Sequence, residues 1–275
     1  METPHLGEPQ SLEQILAQPP KYPRALVASG LLYERTKMII YGRYKSLKSM
    51  MGLDLAFSLA SGEDWLGFDT PDEGVSVFYL QLEISYQLFR ARLSKTWDHR
   101  KLYHRLAKPL HFWTQHWLKL DQPEGIKLLD AYLKMYQPDV VIIDPLDKVV
   151  SGNLLTVIDM QKVIDALDTL IGRHGVSVIV ISHTRKGIMD MGEWGSDDLV
   201  GSFVFSAWAD TVIKVERRGG DRLSIKFDVV RHTEVELEPK EVMFNRDTLE
   251  LSVVEPVSIE KSEPSKDGSQ EERTQ

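Results

Sequence analysis

The chain of 275 residues contains no cysteine. That absence excludes disulfides, thiolate metal sites and thiol catalysis. No apolar run approaches the roughly 20 residues needed to span a bilayer, so no membrane protein is expected. The opening "METPHLGEPQSLEQ" is acidic and polar and is not a signal-peptide pattern, which makes a cytoplasmic location the simplest expectation. Positive charge is also short, with 33 Lys and Arg against 41 Asp and Glu and a formal net charge of −8. A globally basic nucleic-acid binder is therefore excluded, and any such contact needs a local basic surface. Residues 258–275, "SIEKSEPSKDGSQEERTQ", almost lack large apolar side chains and are expected to form a disordered polar tail. Residues 1–22 read as an arm, with prolines around a short helical pattern, "SLEQILAQ". Residues 23–257 remain for one α/β domain.

In that stretch strands and helices alternate. "KMIIYG", "VSVFYLQLE", "DVVIID" and "VSVIVISH" read as strands, the last two as continuous apolar runs buried on both faces. "SMMGLDLAFSLASG", "LFRARLSKTW", "GIKLLDAYLKMY" and "VIDMQKVIDALDTLIGRHG" read as helices with glycine or proline stops. After residue 210 the pattern turns β-rich, with turn signals "RGGD" and "NRD". The expected fold is a parallel central sheet flanked by helices and finished by C-terminal β-hairpins.

The stretch "YGRYKSLKSMM" nearly spells a phosphate-binding loop, G-x-x-x-x-G-K-[ST]. Gly42, Lys48 and Ser49 are in register, but Leu47 stands where the second glycine belongs. The reduced pattern G-x5-K-[ST] arises by chance in about one chain in eight of this length, so context must decide. A strand delivers this loop and a helix leaves it, as the chemistry requires. Backbone N–H groups at a helix start point at phosphates. The lysine reaches the β and γ oxygens and the serine ligates Mg²⁺. Gly42, Arg43, Tyr44, Lys45, Ser46, Leu47, Lys48, Ser49 and Met50 are thus the candidate nucleotide contacts.

Three more residues end buried strands, where open parallel sheets place ligand groups. Asp144 closes "DVVIID" about a hundred residues later, the Walker B pattern of a carboxylate that holds magnesium with Ser49. Glu83 closes "FYLQLE" and could polarise water for attack on a γ-phosphate. His183 closes "VIVISH" and could sense that phosphate.

With these motifs in order, roughly residues 22–235 resemble the RecA-like fold ATPases, in the branch of the RepA plasmid helicases and DnaB-type replicative helicases. "YLQLEIS" is similar to that branch's catalytic-glutamate strand, and "ISHTRKG" to its sensor strand. The resemblance implies ATP and Mg²⁺ as ligands and Lys48, Glu83 and His183 as catalytic residues. It also implies a homo-oligomer, ring (hexameric) or filament, acting on single-stranded DNA. Hexameric relatives carry a Lys-x-Arg pair on a late strand that reaches the neighbour's γ-phosphate. Here "FDVVRH" offers Arg231, with Val229 in the lysine's place. Lys226, three residues earlier, has the opposite strand parity and is not expected to substitute.

Leu47 is read as a tolerated variant, since a left-handed residue costs about 1–2 kcal/mol. Candidate nucleic-acid contacts are Arg185 and Lys186, with Trp194 as a stacking platform. A basic helical stretch at 90–108 is a second candidate, for nucleic acid or a partner. Three functional readings stand: a helicase or translocase-type ATPase, a filament-forming recombination or repair ATPase, and a nucleotide-binding regulatory protein with weak turnover.

Overall fold

The computed structural model describes residues 9–19, 22–152, 156–184 and 202–254. A short capped helix, α1 (Leu12–Leu16), buries none of its residues. A two-stranded antiparallel ribbon follows, β1 (Ala25–Val27) with β2 (Leu32–Tyr33). The remaining strands form one sheet: β3 (Lys37–Gly42), β4 (Val77–Gln81), β5 (Leu110–Thr114), β6 (Val140–Asp144), β7 (Ser177–His183), β8 (Thr211–Gly219), β9 (Arg222–Val230), β10 (Lys240–Phe244) and β11 (Leu251–Val253). Its order is β11-β10-β9-β8-β3-β7-β6-β4-β5. From β8 to β5 every pairing is parallel, and from β8 to β11 every pairing is antiparallel. The expected parallel core with terminal hairpins is the observed one. β5 lies in "LHFWT", where the sequence reading assigned no strand; it is an edge strand, only half-buried along its length.

The period of two decides which helix packs where. Ile39, Tyr41, Val141 and Ile143 face one side and meet Leu129 and Leu133 of α4 (Pro123–Tyr136) and Val163 and Leu167 of α5 (Val157–His174). Met38, Ile40, Val140 and Ile142 face the other and meet Met51 and Leu55 of α2 (Lys48–Ser61) and Phe89 of α3 (Tyr86–Arg100). Helix α2 buries 12 of its 14 residues, which requires cover on every side. The cover comes from the sheet curling: Met50, Leu53 and Phe57 meet Phe244, Leu249 and Leu251 from one edge and Phe112 from the other. Gly52 lets α2 lie against β7, because a Cβ there would stand 2.4 Å from Ile181 Cδ1. α2 stops at Gly62, whose φ of 74° is the left-handed cap glycine adopts readily. A buried ion pair between Asp54 and Arg100 ties α2 to α3. Helix α6 (Ser202–Trp208) precedes β8. Among the described residues no helix is long and apolar enough to cross a membrane.

Candidate nucleotide-binding site

The carboxyl ends of β3, β4, β6 and β7 lie side by side, with Gly42 opposite His183 and Gln81 opposite Asp144. The loop 43–47 leaves β3 at this end and runs into α2. Its backbone carries two left-handed residues, Lys45 at φ 62° and Leu47 at φ 66°. Leu47 is the residue preceding α2, with ψ 22°, so the glycine-like conformation expected at that position is the one adopted. Its side chain is half-buried and packs against core residues around α2, so apolar burial offsets the strain. Gly42 is required by close approach: a Cβ would stand 2.3 Å from the Val215 carbonyl oxygen. This sets the loop directly against β8.

Lys48 is buried, and its Nζ donates to the Arg43 carbonyl at 2.7 Å. Burial pulls its ammonium down to about 8, against the attraction of Asp144, Glu83 and Asp147. Ser49 Oγ donates to Asp144 Oδ1 at 3.0 Å, and Tyr79 OH donates to Asp144 Oδ2 at 2.6 Å. Burial pushes Asp144 up to about 6, although both hydrogen bonds pull it down. Lys48 and Asp144 both move toward neutrality because desolvation outweighs their mutual attraction. Hydroxyl and carboxylate oxygens within bonding distance are the donor set Mg²⁺ takes, one or two protein oxygens beside substrate phosphates. The residues present therefore fit the ion that the resemblance implies.

Glu83 lies two residues beyond the end of β4 and is exposed. Its charge reaches both Lys48 and Asp144. Buried Gln81 shapes the turn that presents it: Gln81 Oε1 accepts from the Glu83 and Ile84 N–H groups at 2.6 and 3.0 Å, and its Nε2 donates to the Ile84 carbonyl at 2.7 Å. His183 ends β7, and the ring of Tyr44 stacks flat on it, 4.1 Å between centroids at 6°. Burial first, then the charge of Lys48, holds the imidazole down to about 4. His183 Nδ1 and Asp147 Oδ1 are buried beside the site with no hydrogen-bond partner among the described residues. Such orphaned atoms fit a polar ligand.

The structure thus brings Lys48, Ser49, Asp144, Glu83 and His183 to one end of the sheet. Arg231 does not join them within the chain. It follows β9 at the strand's far end, beside the Val230–Thr211 pair, whereas the loop neighbours Val215, about 13 Å along β8. Its guanidinium donates to the Ala207 and Ala209 carbonyls at 2.9 Å each, at the end of α6. The parity argument against Lys226 fails. A register shift after Phe227 leaves Asp228 unpaired, so Lys226 opposite Lys214 shares a face with Val229 opposite Val212. Arg185, Lys186 and Trp194 lie outside the described residues.

Several residues of the site were not singled out from the sequence. Tyr79 and Gln81 are polar groups two apart in a buried strand, and that spacing was their signal. Lys214 is a buried lysine in an apolar run, paired with Glu216 at 2.7 Å. Between Arg43–Ser46 and Val215–Arg218 opens a cavity of about 330 Å³ beside the loop.

A family model described as an AAA domain matches residues 3–189, more than half of the chain. No curated protein matches the chain. Among solved structures, one titled "The Structure Of A DnaB-Like Replicative Helicase And Its Interactions With Primase" is similar with a TM-score of 0.62 at 13% identity. That likeness covers 81% of this chain and 58% of the other, so this chain spans little more than half of its length.

Proposed function

We propose that this chain, which belongs to the AAA domain family, is a RecA-like P-loop ATPase of the DnaB/RepA type that hydrolyses Mg-ATP as a homo-oligomeric helicase or translocase on single-stranded DNA. The observation that carries the reading is the Ser49–Asp144 contact beside buried Lys48 at the start of α2. The backbone N–H groups that open α2 bind the phosphates, and Lys48 exchanges the Arg43 carbonyl for a γ-phosphate oxygen. Ser49 and Asp144 would hold Mg²⁺, which when bound would neutralise charge on the nucleotide phosphates. Glu83 accepts a proton from the attacking water, held at the γ-phosphate by its turn on Gln81. His183, neutral because it is buried, donates or accepts one hydrogen bond there without adding charge. Arg231 acts on the site of a neighbouring copy.

A steady-state phosphate-release assay with and without single-stranded DNA tests this, with Lys48→Ala as control. Turnover stimulated by DNA and lost in Lys48→Ala is expected. Turnover unchanged in Lys48→Ala would remove the loop from the reaction. The strained Leu47 supports a second reading, a nucleotide-binding regulator with weak turnover. ATP binding without measurable hydrolysis, with or without DNA, would favour it.

A further inference from the structure

Two surfaces outside the nucleotide site complement each other and cannot meet within one chain. The first is α3 with the segment that follows it. From Tyr86 to Lys108 the only acidic residue is Asp98, which pairs with Lys101, and Arg90, Lys95, Arg105 and Lys108 are exposed. This is a concentrated positive face on a chain of net charge −8. Amid it opens an apolar cavity of about 260 Å³, walled by Phe57, Leu93, Trp97, Leu106 and Phe112 and rimmed by Arg90. Its walls offer almost no hydrogen-bonding group, so it suits an aliphatic side chain and not the polar edge of a base.

The second surface is the loop between β9 and β10. It reads "TEVELE", with Glu234, Glu236 and Glu238 exposed around Val235, itself 69% exposed. The loop is fixed. Leu237 packs into the core, the Val235 N–H donates to Thr233 Oγ1 at 3.2 Å, and Lys240 Nζ sits 4.3 Å over the Phe68 ring. Val235 is held outward between three carboxylates. In the same chain β10 separates this loop from α3. The far end of β10, through the turn to Glu250, is what touches α3, with Glu250 2.8 Å from His99. The acidic loop lies about 15 Å away at the strand's other end.

We propose that the acidic β9–β10 loop of one copy docks head-to-tail on the basic α3 face of the next, with Val235 in the apolar cavity. Charge complementarity selects the occupant: basic rim against three carboxylates, an apolar hole against one exposed apolar side chain. The contact is heterologous, so it builds a ring or a filament and not a closed two-fold dimer. It names surfaces for the assembly part of the function above. Arg231 stands four residues before Val235, within about 13 Å of chain, and Arg90 stands about 6 Å along α3 from Tyr86, which follows Glu83 by three residues. A docked Val235 therefore leaves Arg231 within reach of the neighbour's Glu83 end.

Sedimentation velocity without nucleotide tests the contact independently of hydrolysis. Two variants are compared with the parent, each checked for folding by circular dichroism. One carries Glu234→Lys, Glu236→Lys and Glu238→Lys; the other carries Arg90→Glu, Arg105→Glu and Lys108→Glu. Each alone should self-associate about tenfold or more weakly than the parent, because like charges then face each other. An equimolar mixture of the two should assemble again, since each reversed loop meets a reversed α3 face on the other variant. A parent that stays monomeric, a variant that assembles as the parent does, or a folded mixture that fails to assemble overturns the proposal. Val235→Asp, which changes no basic residue, should also weaken assembly, and parent-like assembly of that variant overturns the role of the cavity.

Discussion

The two ends of the parallel sheet are built on opposite terms. At the carboxyl ends of the strands, charged and polar side chains are held within the chain: Lys48 by the Arg43 carbonyl, Asp144 by Ser49 and Tyr79, His183 under the ring of Tyr44. At the other end, Arg231 is spent on backbone carbonyls, and the loop beyond it leaves three glutamates and a valine in solvent. Buried groups at the first end are shifted toward neutrality, because desolvation is the largest influence on each. On the function proposed above, an anionic ligand with its cation would offset the desolvation that Lys48 and Asp144 both carry. Among the described residues the second end leaves Val235 and the three glutamates exposed, open to another molecule. On the function proposed above, hydrolysis needs both ends, one from each of two copies.

The sharpest way to break this comparison is Arg231→Ala. If the two ends meet between copies, hydrolysis should fall by about 10³–10⁵, the range for an arginine that carries the transition-state charge. Nucleotide binding should persist, as measured by fluorescent ATP-analogue titration. Mixed with Glu83→Gln subunits, the variant should regain activity, because an intact Glu83 can then face an intact Arg231. Co-assembled mixtures that stay inactive would confine Arg231 to its bonds with Ala207 and Ala209.

Glu83→Gln alone should lower turnover by about 10²–10⁴, the usual worth of a general base, with ATP affinity retained. Rapid-quench measurement of the chemical step separates this from slow product release. Loss of affinity in place of turnover would make Glu83 a structural part of the Gln81 turn.

Leu47→Gly should change turnover by no more than about tenfold, the factor set by 1.4 kcal/mol. Glycine relieves the left-handed strain but also removes an apolar side chain packed around α2. A silent parent rescued by orders of magnitude would make Leu47 an off-switch and favour the regulatory reading.

Tyr44→Ala should act on one proton. His183 titrates at about 4 against an ordinary 6.5, because it is buried. Removing the stacked ring admits water, so its pKa should rise toward 6.5 in an NMR titration. The sign for stability follows. With its pKa depressed in the folded state, the parent loses stability as pH falls from 6.5 toward 4, since only the unfolded chain takes up the proton there. The variant should lose less over that window, and Tyr44→Phe should keep the parent's titration.

Much of this fold was legible because burial repeats along the chain. "KMIIYG", "DVVIID" and "VSVIVISH" are long apolar runs, and only a strand covered on both faces tolerates them. β5 escaped notice because an edge strand is half-exposed and carries no such run. Gly42, Lys48, Ser49 and Asp144 were singled out because phosphate and magnesium chemistry demands those residue types at strand ends in that order. The left-handed conformation at Leu47 was also readable, since the loop imposes it whatever residue stands there.

The sequence determined the order of elements, the loop and the strand-end residues, because those depend on local periodicity and on a short motif. Only the tertiary structure decided what touches what. The bulge at Asp228 put Lys226 on the face of Val229, and a one-residue insertion in the pairing leaves no mark in a pattern of alternation. Tyr44 found His183 because β3 and β7 are neighbours in the sheet, a matter of strand order across well over a hundred residues. The distance between the acidic loop and the basic helix was decided the same way. Local chemistry writes each element, but the pairing of strands far apart in sequence is a collective minimum of burial and hydrogen bonding that no single stretch contains.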